Sequence, residues 1–265
     1  YDKLKQRLER ELPGKEDVRS TFPAELKMRF DVFKREVYNG DQGIDPLLVW
    51  TSIRSFIKGS IEATLKSSRA ISEEEFLDMI VFSSGRCSLT EPQRKIVYPM
   101  YKKYARFLHE KNMWDDCDRI VALLLRLEHC KSTDPEKYHS MKVSKIYVDE
   151  VQDYTQVECL LFFYLCDGQG NLFLAGDPAQ NVVQGVEFRF EDIRSVEYHI
   201  AKDKKTVMQK PKKVHVNFRS HTGILNTAGS ILKCMFKAFP KSAENLGEDH
   251  GVFVGPRPGV FEEVG

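Results

Sequence analysis

At 265 residues the chain can hold one large domain or two small ones, with ample material for a core. Its 42% apolar and 30% charged content is ordinary for a soluble protein, and no stretch approaches the roughly 20 apolar residues of a membrane span. With a net charge of +1, overall charge points to neither a nucleic-acid nor a membrane binder, so any basic surface must be local.

Residues 1–21 are mostly charged, with Pro13-Gly14 in the middle. Leu4, Leu8 and Leu12 share a helical face, but the segment reads as a frayed lead-in. It carries no signal peptide and no initiator Met, and the chain reads as an excised piece of something longer. From Phe22 to Tyr38 the spacing of Leu26, Phe30, Phe33 and Val37 predicts a helix. After a break at Asn39-Gly40-Asp41-Gln42-Gly43, Asp45-Pro46 opens another in cap-then-proline order. Its apolar face would use Leu48, Val49, Ile53, Phe56 and Ile57, with Trp50 beside it.

Ser72-Glu73-Glu74-Glu75 is a capping box ahead of Phe76, Leu77, Met79 and Ile80. Thr90-Glu91-Pro92-Gln93 repeats the form before a long helix bearing Tyr98, Tyr101, Tyr104, Phe107 and Leu108. That aromatic row admits a base-stacking reading, but helical spacing favours a packing face. Trp114-Asp115-Asp116-Cys117-Asp118 starts a further helix through Ile120, Leu123, Leu124 and Leu127. The six cysteines form no CxxC pair and no zinc-like grouping with His, which fits a reducing intracellular compartment, nucleus or cytoplasm.

The character changes near residue 143. Strand signals at 145–148 and 171–175 flank a helix at 155–166, and another strand candidate sits at 213–216. Alternating strand and helix predicts an α/β fold with a parallel sheet. His221 to Phe239 is the last clear helix, stopped by Pro240, and Gly251 to Gly265 reads as loop. Basic runs at 202–205 and 210–213 read as exposed loop, and no internal repeat is present.

Three motifs carry chemistry. Ile146-Tyr147-Val148 runs into Asp149-Glu150, followed by Gln152 and Asp153. Ligands gather at the carboxyl ends of parallel strands. There one carboxylate can hold Mg²⁺, which favours one or two carboxylates plus substrate phosphates, and the other a water. Taken alone, the acids are as readily a solvated strand-to-helix turn. Leu172-Phe173-Leu174-Ala175-Gly176-Asp177-Pro178-Ala179-Gln180 is a second strand ending in Gly-Asp, with a Gln beyond. Asp177 can accept from a neighbouring backbone or from the first motif's water network, and Gln180 can donate to a terminal phosphate while accepting from water. By itself this is turn chemistry. Val216-Asn217-Phe218-Arg219-Ser220 places Arg219 at a helix head, where a guanidinium can meet phosphate oxygens; a lone Arg there is usually a surface residue.

In this order, over residues 143–236, the motifs resemble motifs II, III and IV of the UvrD/Rep branch of superfamily 1 helicases. The resemblance implies a partial RecA-like P-loop NTPase sheet, ATP bound between two such domains, and a large all-helical 1B-like insertion. It implies residues 22–142 as the insertion, 143–208 as the C-terminal half of the first RecA-like domain, and 209–265 as the beginning of the second. Asp149 matches the Mg²⁺ carboxylate, and Glu150 the base that activates water beside the metal. Gln152 matches the nucleotide-side Gln, Gln180 the link from γ-phosphate to the nucleic-acid groove, and Arg219 the γ-phosphate arginine. Asp45-Pro46-Leu47-Leu48-Val49-Trp50, Ile57-Lys58-Gly59-Ser60, Gly185-Val186-Glu187-Phe188 and His221-Thr222-Gly223-Ile224-Leu225-Asn226 extend the likeness. They resemble the UvrD-like region of very large eukaryotic proteins that carry tetratricopeptide and ankyrin repeats.

Two departures qualify it. No Gly-x-x-x-x-Gly-Lys-Ser/Thr occurs, since Glu9 stands where the first Gly before Gly14-Lys15 should be and Glu16 where the hydroxyl should be. The phosphate loop is expected upstream, in a longer parent that binds ATP and Mg²⁺. Where helicases continue motif III with an aromatic pair and Arg-Gly, Val183, Gly185 and Val186 stand here, which removes base stacking at that place. The expectation is an internal fragment, inactive alone, of an ATP-dependent helicase-like NTPase acting on DNA or RNA beside other domains of its chain. The alternative is a pseudo-helicase scaffold that binds partners without unwinding. A nuclease built on Asp149, Glu150 and Asp153 is the least supported reading.

Overall fold

The structure, a computed structural model, describes residues 1–12, 22–38, 43–78, 87, 89–180, 185–200, 209–239 and 247–259. The sequence expectations at Pro13 to Glu16, Asn39 to Gln42, Met79-Ile80, Val183, 202–205, Pro240 and 260–265 lie outside the described residues. Two compact units succeed one another along the chain, Tyr1–Met208 and Gln209–Gly265.

The first unit begins with a packed helix, α1 (Asp2–Glu11), where the sequence suggested fraying. Leu8 and Leu12 are buried. Arg119 makes a two-point ion pair with Glu9 at 2.6 and 2.8 Å, and Arg126 donates to the carbonyls of Glu9 and Leu12. The partner surface that orders this helix lies more than a hundred residues away, so local sequence could not reveal it.

The single helix expected over 22–38 is broken. A 3₁₀ turn at Ala24–Leu26 is followed by an extended stretch, then α2 (Phe30–Val32) runs into a π-helical turn, Phe33–Val37. The break has a tertiary cause: Met28 N–H donates to Trp114 O, and Trp114 N–H to Leu26 O. Phe33 and Val37 still reach the core.

Asp45 caps α3 (Pro46–Thr51) by accepting from Leu47 N–H, as the Asp-Pro order implied. The helix then widens into a π-helix, Ser52–Lys58, and all seven of these residues are buried, including Arg54, Ser55 and Lys58. The expected apolar face holds for Val49, Ile53, Phe56 and Ile57, whereas Leu48 is exposed. Gly59 ends the π-turn where a Cβ would lie 2.0 Å from Arg54 O, so no side chain fits. A short α4 (Ile61–Thr64) comes next, capped by Ser60.

The Ser72 capping box forms at α5 (Glu73–Leu77), and Thr90 N–H donates to Gln93 at the start of α6 (Glu91–Glu110). Tyr98, Tyr104 and Leu108 are buried, with Tyr101 and Phe107 packed beside them, so the aromatic row is core. Asp115 caps α7 (Asp116–Thr133), whose Ile120, Leu123, Leu124 and Leu127 form a second core with α1. Asp134-Pro135 opens α8 (Pro135–Met141), a helix not read from the sequence.

β1 (Ile146–Val148) and β2 (Leu172–Leu174) pair in parallel, Ile146 opposite Leu172 and Val148 opposite Leu174. Between them runs α9 (Gln156–Leu165), headed by a Thr155–Glu158 capping box and buried along most of its length. The last helix of this unit is α10 (Phe190–Ile200).

In the second unit β3 (Val216–Asn217) pairs in parallel with β4 (His250–Gly251), so the tail read as loop contributes a strand residue, Gly251. None of α11 (Thr222–Ala238) is buried, and Phe218 and Ile224 are exposed. Among the described residues the fold is thus helix-rich with two small parallel sheets. Among the described residues no helix is long and apolar enough to cross a membrane.

Candidate functional site

Val148, buried, ends β1 and delivers Asp149 and Glu150 to the surface, where both carboxylates are exposed. Glu150 adopts a left-handed backbone, φ 53° and ψ 44°, which an L-residue with a Cβ resists. That conformation turns the chain from strand into a 3₁₀ helix, Val151–Asp153, and the Asp149 carboxylate accepts from Glu150 N–H at 3.0 Å.

Gln152 is buried and joins the first motif to the second. Its Nε2 donates to the Glu150 carboxylate at 2.6 Å, and its Oε1 accepts from Asp177 N–H at 3.0 Å. Gly176 makes room for this approach, since a Cβ there would lie 2.4 Å from Gln152 Oε1 and 2.9 Å from Val151 Cγ1. Beyond the strands, Ala175 N–H donates to Val148 O and Val151 N–H to Ala175 O, continuing the pairing into the turn. The Asp177 carboxylate accepts from Ala179 N–H at 2.9 Å and from Gln180 Nε2 at 2.8 Å. Glu150, Gln152, Asp177 and Gln180 therefore form one hydrogen-bonded chain across the carboxyl ends of both strands. Asp149 stands exposed beside it.

These residues supply two carboxylates able to approach a cation from the solvent side, the partial donor set that Mg²⁺ takes when phosphates and waters complete its shell. Among the described residues no group of three or more His, Cys, Asp or Glu is placed to hold a metal ion. The three-acid cage a nuclease reading needs is therefore not formed there. Arg219 belongs to the second unit, exposed at a turn in which Asn217 Oδ1 accepts from the N–H groups of Arg219 and Ser220, both at 2.9 Å.

Sequence reasoning missed an ionic cluster in which Lys58 and Asp115 are buried and Asp118 is partly exposed. Lys58 Nζ is 2.6 Å from both the Asp115 and Asp118 carboxylates, and Tyr104 O–H donates to Asp115 at 2.6 Å. Burial alone would depress the Lys58 ammonium, but the two carboxylates overcome it and hold its pKa above the ordinary value. Burial works likewise against Asp115, but Lys58 outweighs it and keeps this carboxyl low, at about 2. Asp118 is pushed up to about 6 by burial and by the Asp115 charge. The signal available was Arg54 and Lys58 inside an otherwise apolar run; their partners are about sixty residues away.

The π-helix that carries Lys58, together with Gly59 and Ile61 just after it, also grips the chain beyond each strand motif. Ser55 Oγ donates to Gly185 O at 3.0 Å and accepts from Glu187 N–H at 2.9 Å. Gly185 has φ 92° and sits where a Cβ would lie 2.5 Å from Trp50 Nε1. Val157 N–H, in the first turn of α9, donates to Gly59 O, and Ile61 N–H donates to Gln156 Oε1.

Residues 5–196 match the UvrD/REP helicase N-terminal domain family. A human protein, TPR and ankyrin repeat-containing protein 1, is 34% identical over 243 residues, covering 88% of this chain. The chain spans only 8% of that relative's length.

Proposed function

Since the chain belongs to the UvrD/REP helicase family, we propose that it is an internal part of a helicase-like ATPase, carrying the Mg-ATP hydrolysis motifs without a phosphate loop. The observation that carries this reading is the Gln152 bridge, which ties Glu150 and Asp177, from motifs far apart in sequence, into one network. Asp149 would hold Mg²⁺, and the metal would supply charge neutralisation at the terminal phosphates. Glu150 accepts a proton from the attacking water while Gln152 fixes its carboxylate from behind. Gln180 leaves Asp177 to reach the γ-phosphate, and Asp177 anchors the turn from which it moves. Arg219 matches the family's γ-phosphate arginine, whose guanidinium would offset charge on a terminal phosphate.

In this reading 22–142 is the 1B-like insertion, 143–208 the later half of a first RecA-like domain, and 209–265 the start of a second. A further feature supports a larger sheet. Tyr147 and Phe173 stack across β1 and β2 with ring centroids 5.1 Å apart, yet are 69% and 53% exposed. Parallel sheets are normally covered on both faces, so additional chain is expected over this pair. The 265 residues contain no Gly-x-x-x-x-Gly-Lys-Ser/Thr, so the phosphate cradle must come from such additional chain, and these residues alone should not turn over ATP.

The parent would act on DNA or RNA beside its other domains. A second reading, a scaffold that binds without unwinding, is favoured by one observation. Where helicases continue this motif with an aromatic pair and Arg-Gly, Gly185 is lodged against Trp50 and Val186 is buried, so neither presents a stacking face.

The test is Mg²⁺-dependent ATPase activity of a longer parent chain containing this segment and a phosphate loop. Glu150→Gln should lower turnover by about 10²- to 10⁴-fold with nucleotide binding retained. Equal, non-zero turnover in both proteins would remove Glu150 from its role. Bound nucleotide with no turnover in either would favour the scaffold.

A further inference from the structure

On a different part of the first unit, α4, α7, α8, α9 and α10 enclose an open groove of about 370 Å³. Its floor is apolar, made by Val121, Leu124 and Leu160, all buried, with Phe163 half-buried beside them. At its mouth Leu65 is 65% exposed and Leu125 42% exposed, large apolar side chains facing water. The α7 lining residues Val121, Leu124, Leu125, Glu128 and Lys131 recur at helical spacing, so the groove runs along about 15 Å of that helix. A trough of that length, open along one side, suits a helix of about three turns better than a compact small molecule, which wants enclosure.

The rim is basic. Arg69, Lys131 and Lys142 line it, and none pairs with a carboxylate among the described residues. Lys131 and Lys142 flank the Tyr138 ring, 5.9 and 5.3 Å from its centroid, and Lys142 also donates to Cys166 O at 3.2 Å. The one acid on the wall, Glu128, already accepts from Tyr164 O–H at 2.6 Å. His199, on the α10 side, adds an imidazole able to donate to a carboxylate.

We infer that this groove docks an amphipathic helix of a partner protein, its apolar stripe at i, i+3, i+4 and i+7 flanked by Asp and Glu. The apolar floor takes the stripe, and the three unneutralised cations take the flanking carboxylates. This site is independent of the ATPase reading, because none of its residues belongs to the motifs.

The experiment uses the 265-residue chain and a fluorescein-labelled helical peptide with Leu at those positions and Glu on both flanks. Two competitors accompany it, the same peptide with Lys for every Glu and an oligothymidylate. The Glu peptide should raise anisotropy saturably and bind at least about tenfold tighter than the Lys peptide. Lys131→Glu with Lys142→Glu should reverse that preference, and Leu125→Glu, at an exposed position, should abolish binding with the circular dichroism unchanged. Equal affinity for the two peptides, no binding of the Glu peptide, or indifference to Leu125→Glu would overturn the inference. So would displacement by oligothymidylate, which marks a nucleic-acid surface, or self-association of the free chain lost in Leu125→Glu, which marks a second copy.

Discussion

Asp115, Asp116 and Asp118 make almost the same local pattern as Asp149, Glu150 and Asp153, three acids within five residues at the start of a helical turn. Their surroundings differ completely. The first group faces Lys58 at 2.6 Å, Lys27 at 2.8 Å and Arg54 at 3.4 Å, with the Asp115 side chain 1% exposed. In the second, Asp149 and Glu150 are exposed and make no ion pair among the described residues. The buried Asp115 carboxylate is matched by the chain's own Lys58, because an unmatched charge in the interior is too costly. The carboxylates at the strand end face solvent, held among the described residues only by hydrogen bonds from Glu150 N–H and Gln152 Nε2.

The contrast is broken most directly at Lys58. Lys58→Met leaves Asp115 buried without its cation and should cost about 3–5 kcal/mol of unfolding free energy. Asp149→Asn should stay within about 0.5 kcal/mol. Urea unfolding of both variants measures the difference, and similar losses would mean that the two acid groups play the same part.

A smaller effect sharpens the point inside the site itself. Gln152→Leu keeps the bulk but strands the Asp177 N–H and frees Glu150, for an expected loss of about 1–3 kcal/mol. Amide hydrogen exchange at Asp177 should accelerate in that variant. Unchanged protection would show that Gln152 does not join the two motifs.

The smallest expected effect is on pH dependence. Asp118 has its folded pKa raised from 3.8 to about 6, so the folded state holds this proton more tightly than the unfolded one. Its contribution therefore opposes folding above about pH 6, and stability gains as pH falls from about 6 towards 3.8. Asp115, lowered to about 2, works the other way: its stabilisation is complete above 3.8 and disappears as pH falls towards 2. The difference in urea midpoint between wild type and Asp118→Asn should narrow as pH drops from 7 to 5, through about 6. A difference constant over that range would remove Asp118 from the titrating cluster.

Much of the first unit was legible because its signals are local. Asp45-Pro46, Ser72–Glu75 and Thr90–Gln93 cap the helices they were expected to cap. The Tyr98, Tyr104 and Leu108 row is core, as its spacing implied. The two strand runs pair in parallel, with Asp149 and Asp177 just past their ends. Distant partners set the features that escaped. α1 is ordered by Arg119 and Arg126, the 22–38 helix is interrupted by Trp114, and the π-helix buries Arg54 and Lys58 against acids of α7.

The caps and the helical and strand periods are written in the amino-acid order, since each depends on neighbours within a few positions; the family, too, is legible there. Which carboxylates would be neutralised and which left open was settled by folding, because charge pairing depends on groups brought together across some sixty residues of chain. Folding likewise made Gln152, rather than either acid, the buried member holding the two strand ends together, since burial belongs to the surroundings and not to the residue.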